Sequence, residues 1–276
     1  MKLISDSGCD VDDKLRSENA ICRVPLSIRI GDREFIDDDA LDVQRLLKAM
    51  KESSSSPETA SPSPGDFLRE YAGQDCVFVV TLSAKLSATY SSAVLAARMA
   101  LEQKLARFIH VFDSKTASVG ETLVNLKISE LIRRNCGETE IVEKVSEYIK
   151  SLKTFCLLES LDNLVKSGRV SKLIGRLSSI LSVNLILGGT EEGTIELVEK
   201  VRGAQRAARR LIDLIGENGE RLEERICGIA HVNCRQKAEA LKQEIQRRFR
   251  FRDVIVVDAS GITAVYGNEG GLVIAF

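Results

Sequence analysis

Short, nearly continuous apolar runs alternate along the chain with longer stretches in which apolar and polar residues share a helical repeat. The compact runs predict strands at Lys2–Ser5, Cys76–Leu82, Phe108–Asp113, Thr154–Leu158, Asn184–Leu187, Ile195–Lys200, Ile226–Val232, Phe251–Val257 and Leu272–Phe276. Apolar residues recurring at three- and four-residue intervals predict helices at Ala88–Leu105, Val119–Arg134, Glu138–Lys153, Gln205–Ile215 and Arg235–Arg248. Strands alternating with crossover-length helices predict an α/β fold built on mostly parallel or mixed sheets. Gly188–Gly193 (GGTEEG) separates two strand-like runs and reads as a hairpin turn.

Length changes the picture from one layer to two. A chain of 276 residues can bury two cores, and the expected division falls near Leu152, giving α/β lobes at 1–152 and 153–276. Hydrophobic residues at 44% and charged residues at 29% are the balance of a folded, soluble chain. A formal charge of −1 argues against nucleic acid as a partner, since phosphate binding needs a basic surface. No apolar run approaches the roughly 20 residues of a membrane span, and Asp6 and Asp10 stand where a signal peptide is apolar, so a cytoplasmic protein is expected. The seven cysteines, at 9, 22, 76, 136, 156, 227 and 234, form no C-x-x-C pair and are expected to be reduced thiols. Cys227, His231 and Cys234 lack a fourth ligand, so no metal is expected.

Two polar segments carry the candidate chemistry. Ser53–Gly65 (SSSSPETASPSPG) holds three of the four prolines and is expected to be a non-helical loop, either a plain linker or a stiffened binding loop. Thr81–Ser92 (TLSAKLSATYSS) follows an apolar strand and opens a helix, a geometry in which unpaired N–H groups and hydroxyls receive an anion. Ser83, Ser87 and Thr89 are its candidate donors; simple helix capping would account for one of them. A serine nucleophile would need a nearby base. The two histidines, His110 and His231, sit in strand-like runs outside any recognisable triad motif. Asp37–Asp39 are expected to cap the helix that follows them, and no phosphate-binding loop is present. Arg202, Arg206, Arg209 and Arg210 fall on nearly one helix face, either solvated or a docking patch for acidic groups.

Taken in order, KLISDSGCD, TASPSPGDF, TLSAKLSATYSSA, VFDSKTASVGE, LDNLVKSGRVSK, KVRGAQRA and GGLVIAF resemble the DegV family of bacterial fatty-acid-binding proteins over essentially the whole chain. The resemblance implies two lobes, with a long-chain fatty acid in an apolar tunnel and its carboxylate near the interlobe cleft. It implies a carrier without catalytic residues or cofactor, whose bound carboxylate is phosphorylated by a separate ATP-binding kinase subunit for phospholipid synthesis. By position, Thr59 and Ser87 would hold the carboxylate, with Ser61, Ser83 and Thr89 as neighbours. Arg169 would orient the head group or its loop. Separately, the arginine-bearing face with Arg202 and Arg206 is expected to dock the kinase-like partner. The family's C-terminal histidine is here Tyr266, whose phenol can donate a hydrogen bond but, unlike imidazole, cannot become a cation. Glu269 replaces a family proline and adds a negative charge. The rival readings are a phosphotransferase or hydrolase using a hydroxyl of the 81–92 turn, and a carrier of another amphiphile.

Overall fold

A computed structural model describes residues 1–170 and 183–276; Ser171 and Lys172, the end of the LDNLVKSGRVSK segment, lie outside the described residues. The first sheet joins β1 (Lys2–Asp6), β2 (Ile21–Val24), β6 (Cys76–Thr81) and β7 (Phe108–Asp113) in the order β2-β1-β6-β7, all parallel. Every residue of β6 is buried, as its unbroken apolar run requires of a central parallel strand. The second sheet contains β8 (Thr154–Leu158), β9 (Val183–Gly189), β10 (Ile195–Arg202), β11 (Ile226–His231), β12 (Asp253–Asp258) and β13 (Leu272–Ala275), in the order β10-β9-β8-β13-β11-β12. This sheet is mixed. Only β11 and β12 pair in parallel, because the last strand, β13, inserts antiparallel between β8 and β11, and β9 and β10 form the expected hairpin. The anticipated strands and helices are present with ends shifted by at most three residues.

One helix belongs to both sheets. α5 (Val119–Arg133) follows α1 (Asp13–Glu18), α2 (Val43–Glu52), α3 (Pro64–Tyr71) and α4 (Thr89–Glu102). Its Val124, Ile128 and Leu131 join the core of Leu3, Phe78 and Phe112, while Val119, Leu123 and Leu126 pack with Ala230, Val257 and Ala275. The two-sided burial covers most of the helix surface, so that even Glu121, Thr122, Asn125 and Ser129 are buried. It also explains Gly228 in β11: a Cβ there would collide with the Val119 side chain.

A small antiparallel sheet, β4-β3-β5, is formed by β3 (Ser27–Ile30), β4 (Arg33–Ile36) and β5 (Glu58–Ala60). The Ser53–Gly65 segment is therefore not all loop. Glu58–Ala60 pair with β3, and Pro64 and Gly65 start α3 behind the Ser63 cap, where proline's missing N–H has no helical partner to lose. The role expected of Asp37–Asp39 also changes. Asp42 caps α2, whereas Asp37 reaches across the molecule to accept from Gly261 N–H (2.7 Å) and Ile262 N–H (3.1 Å). Those residues begin α10 (Gly261–Gly267), which follows α6 (Glu138–Ser151), α7 (Asp162–Lys166), α8 (Ala204–Asn218) and α9 (Arg235–Arg248). Asp10 accepts from Ser260 N–H at 2.7 Å, so two carboxylates from the first half of the chain hold the start of this late helix. Among the described residues, no helix is long and apolar enough to cross a membrane.

Candidate functional site

Side chains alternate along β8 and β9, and one face of the pair packs against α8 through Phe155, Leu157 and Ile186. The opposite face presents Cys156, Leu158 and Leu187 to a cavity roofed by α10 and by the turns after β6 and β7. The cavity and the open solvent at its mouth together make up about 970 Å³ of space free of protein atoms. Its wall is predominantly aliphatic and aromatic, with Leu82, Leu86, Leu164, Ile195, Ile262 and Val273 among the contributors.

Polar groups converge at one part of this wall. β5 carries Thr59 and α10 carries Tyr266, and their hydroxyls lie 2.7 Å apart although 207 positions separate them in the chain. The Arg169 guanidinium lies 5.4 Å from the centre of the Tyr266 ring, within cation–π range, and its Nε donates to the Leu86 carbonyl at 3.2 Å. Arg169 thereby ties the hydroxyl-rich turn to α10. Ser87 lines the cavity and shares a 2.7 Å hydrogen bond with the Thr89 hydroxyl. It also accepts from the Thr89 N–H at 3.3 Å, so part of its polarity serves the helix start.

The expected residues thus divide into two groups. Thr59, Ser87, Tyr266 and Arg169 meet at the cavity wall. Ser83 is fully buried behind it, donating to the Gly193 carbonyl at 2.7 Å; Thr89 is buried behind Ser87, and half-buried Ser61 stands outside the lining. Arg202, at the end of β10, and Arg206, in the first turn of α8, are exposed. Arg210 is paired with Glu199 and Glu217. Glu269 does not line the cavity; Lys51 and Asn233 hold its carboxylate, and Lys51 keeps its pKa below the usual range.

Neither histidine lines the cavity. His110 stacks edge-on against Phe112, and His231 is buried at the end of β11, with Asp258 3.4 Å from its Nε2. Among the described residues, no cluster of histidine, cysteine and acidic side chains has the geometry of a metal site. The floor residues Thr154, Cys156, Leu158 and Leu187 were not anticipated as site residues. Their signal was the two-residue alternation of β8 and β9, which marks a face without distinguishing a packed one from a hollow one.

The family model described as an uncharacterised protein of the DegV family matches residues 1–276. A DegV domain-containing protein of Streptococcus pneumoniae is 32% identical over 280 residues, covering 100% of this chain and 98% of its own. Among solved structures, the DegV family protein of Ruminococcus gnavus, refined with vaccenic acid, superposes with a TM-score of 0.93 at 35% identity, covering 100% and 99% of the two chains. The Eubacterium eligens DegV family protein loaded with heptadecanoic acid gives 0.93 at 30% identity, with 100% and 98% covered. The Streptococcus pneumoniae Fatty Acid Kinase (Fak) B3 protein loaded with linoleic acid gives 0.91 at 31% identity, again covering 100% and 98%.

Proposed function

The chain belongs to the DegV family, and from that premise we propose that it binds a long-chain fatty acid, holding the carboxylate at the Thr59, Ser87 and Tyr266 hydroxyls. The observation that carries this reading is a predominantly apolar cavity whose wall brings together Thr59, Ser87, Arg169 and Tyr266, with the Thr59 and Tyr266 hydroxyls 2.7 Å apart. A carboxylate removed from water needs such donors, whereas each buried methylene contributes about 0.8 kcal/mol. Arg169 supplies a positive charge beside the donors without being one of them. Fatty acids in relatives of the same fold support the same reading.

The protein acts in this proposal as a carrier that presents its ligand rather than turning it over. A separate ATP-dependent fatty acid kinase subunit phosphorylates the presented carboxylate, and Arg202 and Arg206 dock that subunit; the Fak B3 relative and the exposure of both arginines support this half.

Organic extracts of the purified protein should contain fatty acid by mass spectrometry. Tyr266→Phe and Thr59→Val, each removing one hydroxyl from the proposed head-group site, are expected to weaken fatty-acid affinity by about tenfold or more. Undiminished affinity in both variants would refute the assigned head-group site. Arg202→Glu combined with Arg206→Glu should leave fatty-acid binding intact while suppressing acyl phosphate formation by the kinase subunit.

A further inference from the structure

A second, open cleft lies beside the cavity, lined by His110, Lys150 and Lys153 among others. Lys115, Thr116, Thr154 and Gly189 line both spaces, so the wall between them is a single layer of residues. Within this wall the Thr116 and Thr154 hydroxyls meet at 2.7 Å. Thr116 comes from the segment after β7, and Thr154 is the first residue of β8, so the contact joins the two halves of the chain. Gly120 braces the pair from behind. A Cβ there would overlap Thr116 and approach the Thr154 hydroxyl to 3.0 Å.

β8 gives the direction. Leu158 belongs to the cluster that includes Leu164 and Tyr266, on the side of the polar groups. Thr154, four residues earlier on the same face, lies about 13 Å further along the strand. Gly189 of β9 borders this end, and a Cβ placed on it would stand 4.0 Å from the Thr154 Cβ.

We infer that the Thr116–Thr154 pair is an end plate that sets the longest acyl chain the cavity accepts, and that Gly189 leaves room for the last carbons. The inference rests on the fatty-acid reading above. A tail reaching the plate meets two hydroxyls joined by one hydrogen bond, with Thr116 also donating to the Ala117 carbonyl at 3.4 Å, and it can extend only if they part. Up to that point each added methylene raises affinity about fourfold; beyond it the gain stops.

Delipidated protein would be titrated with a ladder of straight-chain saturated fatty acids from lauric to behenic. Thr116→Ala combined with Thr154→Ala joins the cavity to the cleft, and should raise affinity for acids beyond the wild-type optimum about tenfold while leaving the shorter ones unchanged. Gly189→Val, at a backbone conformation open to any residue, should move the optimum towards shorter acids and serves if the double variant does not fold. An unshifted optimum in a folded variant overturns the end plate alone. Equal weakening at every length also overturns it, because the pair would then be holding the head group. Failure of the wild type to bind any acid of the ladder overturns the fatty-acid reading and this inference with it.

Discussion

Replacing Glu121 by glutamine is expected to stabilise the protein at pH 8 and to reduce the pH dependence of its stability. Glu121 lies in the first turn of α5, fully buried; as a carboxylate it accepts no hydrogen bond among the described residues, and only its protonated form can bond to the Asp6 carboxylate beside it. Burial raises its pKa well above the ordinary value, and the acidic neighbours Asp6, Cys9 and Asp10 raise it further. Asp6 is pushed up to about 7 by burial, even though Leu82 and Gly8 N–H groups each donate to it at 2.8 Å. Asp37 is pushed up to about 6, again by burial. Groups raised in this way hold protons in the folded state that the unfolded chain releases above about pH 4. Between that point and their folded pKa values the folded state keeps protons that the unfolded chain has lost, so stability falls by about 1.4 kcal/mol per pH unit for each retained proton. Below both values the effect vanishes. Urea denaturation from pH 5 to pH 8 should show wild-type stability decreasing by a few kcal/mol. Glu121→Gln should match the wild type near pH 5 and exceed it at pH 8. A flat wild-type profile, or a variant that is weaker at pH 8, would contradict this account.

Asp37→Ala should be the most damaging single change near the cavity. It removes the acceptor for two buried N–H groups at the start of α10, each leaving a desolvation cost of about 1–3 kcal/mol. The loss of a buried charge, which Arg23 partly offsets, returns some of that, so a net destabilisation of about 2–4 kcal/mol is expected. Asp37→Asn keeps one acceptor and should fall between the two. The same change frees the helix that carries Tyr266, so fatty-acid affinity should drop together with the urea midpoint. If the midpoint moved and affinity did not, Tyr266 would be positioned by other contacts, the Asn163 side-chain N–H donating to the Val265 carbonyl at 2.7 Å being the first to examine.

The elements that could be read directly were those whose own sequence decides their burial. β6 is apolar throughout because both of its faces are covered, and α8 and α9 keep a helical repeat because only one face is. β2, β3, β4 and β5 escaped detection, being three or four residues long and interrupted by Arg23, Arg29, Arg33 and Glu58. Their pairing is decided by partners elsewhere in the chain. α10 was missed for a related reason: seven residues carry too few turns to show a period, and beyond its local Ser260 cap the acceptor of its first N–H group stands 224 positions away at Asp37. In the cavity, motif order singled out Thr59, Ser87 and Arg169, but nothing in the sequence indicates that the Thr59 hydroxyl rests on Tyr266. Thr116 and Thr154 were equally invisible, because each is an ordinary threonine until the fold brings them together.

Because α5 is the floor of one sheet and the ceiling of the other, the molecule is poorly suited to modular rearrangement. A fragment ending before β8 would leave Val119, Leu123 and Leu126 facing solvent, and transplanting the C-terminal half onto another scaffold would strip the same residues from Ala230, Val257 and Ala275. Calorimetry should accordingly record both halves melting in one endotherm, and any grafted chimera that keeps its solubility will have carried this helix along.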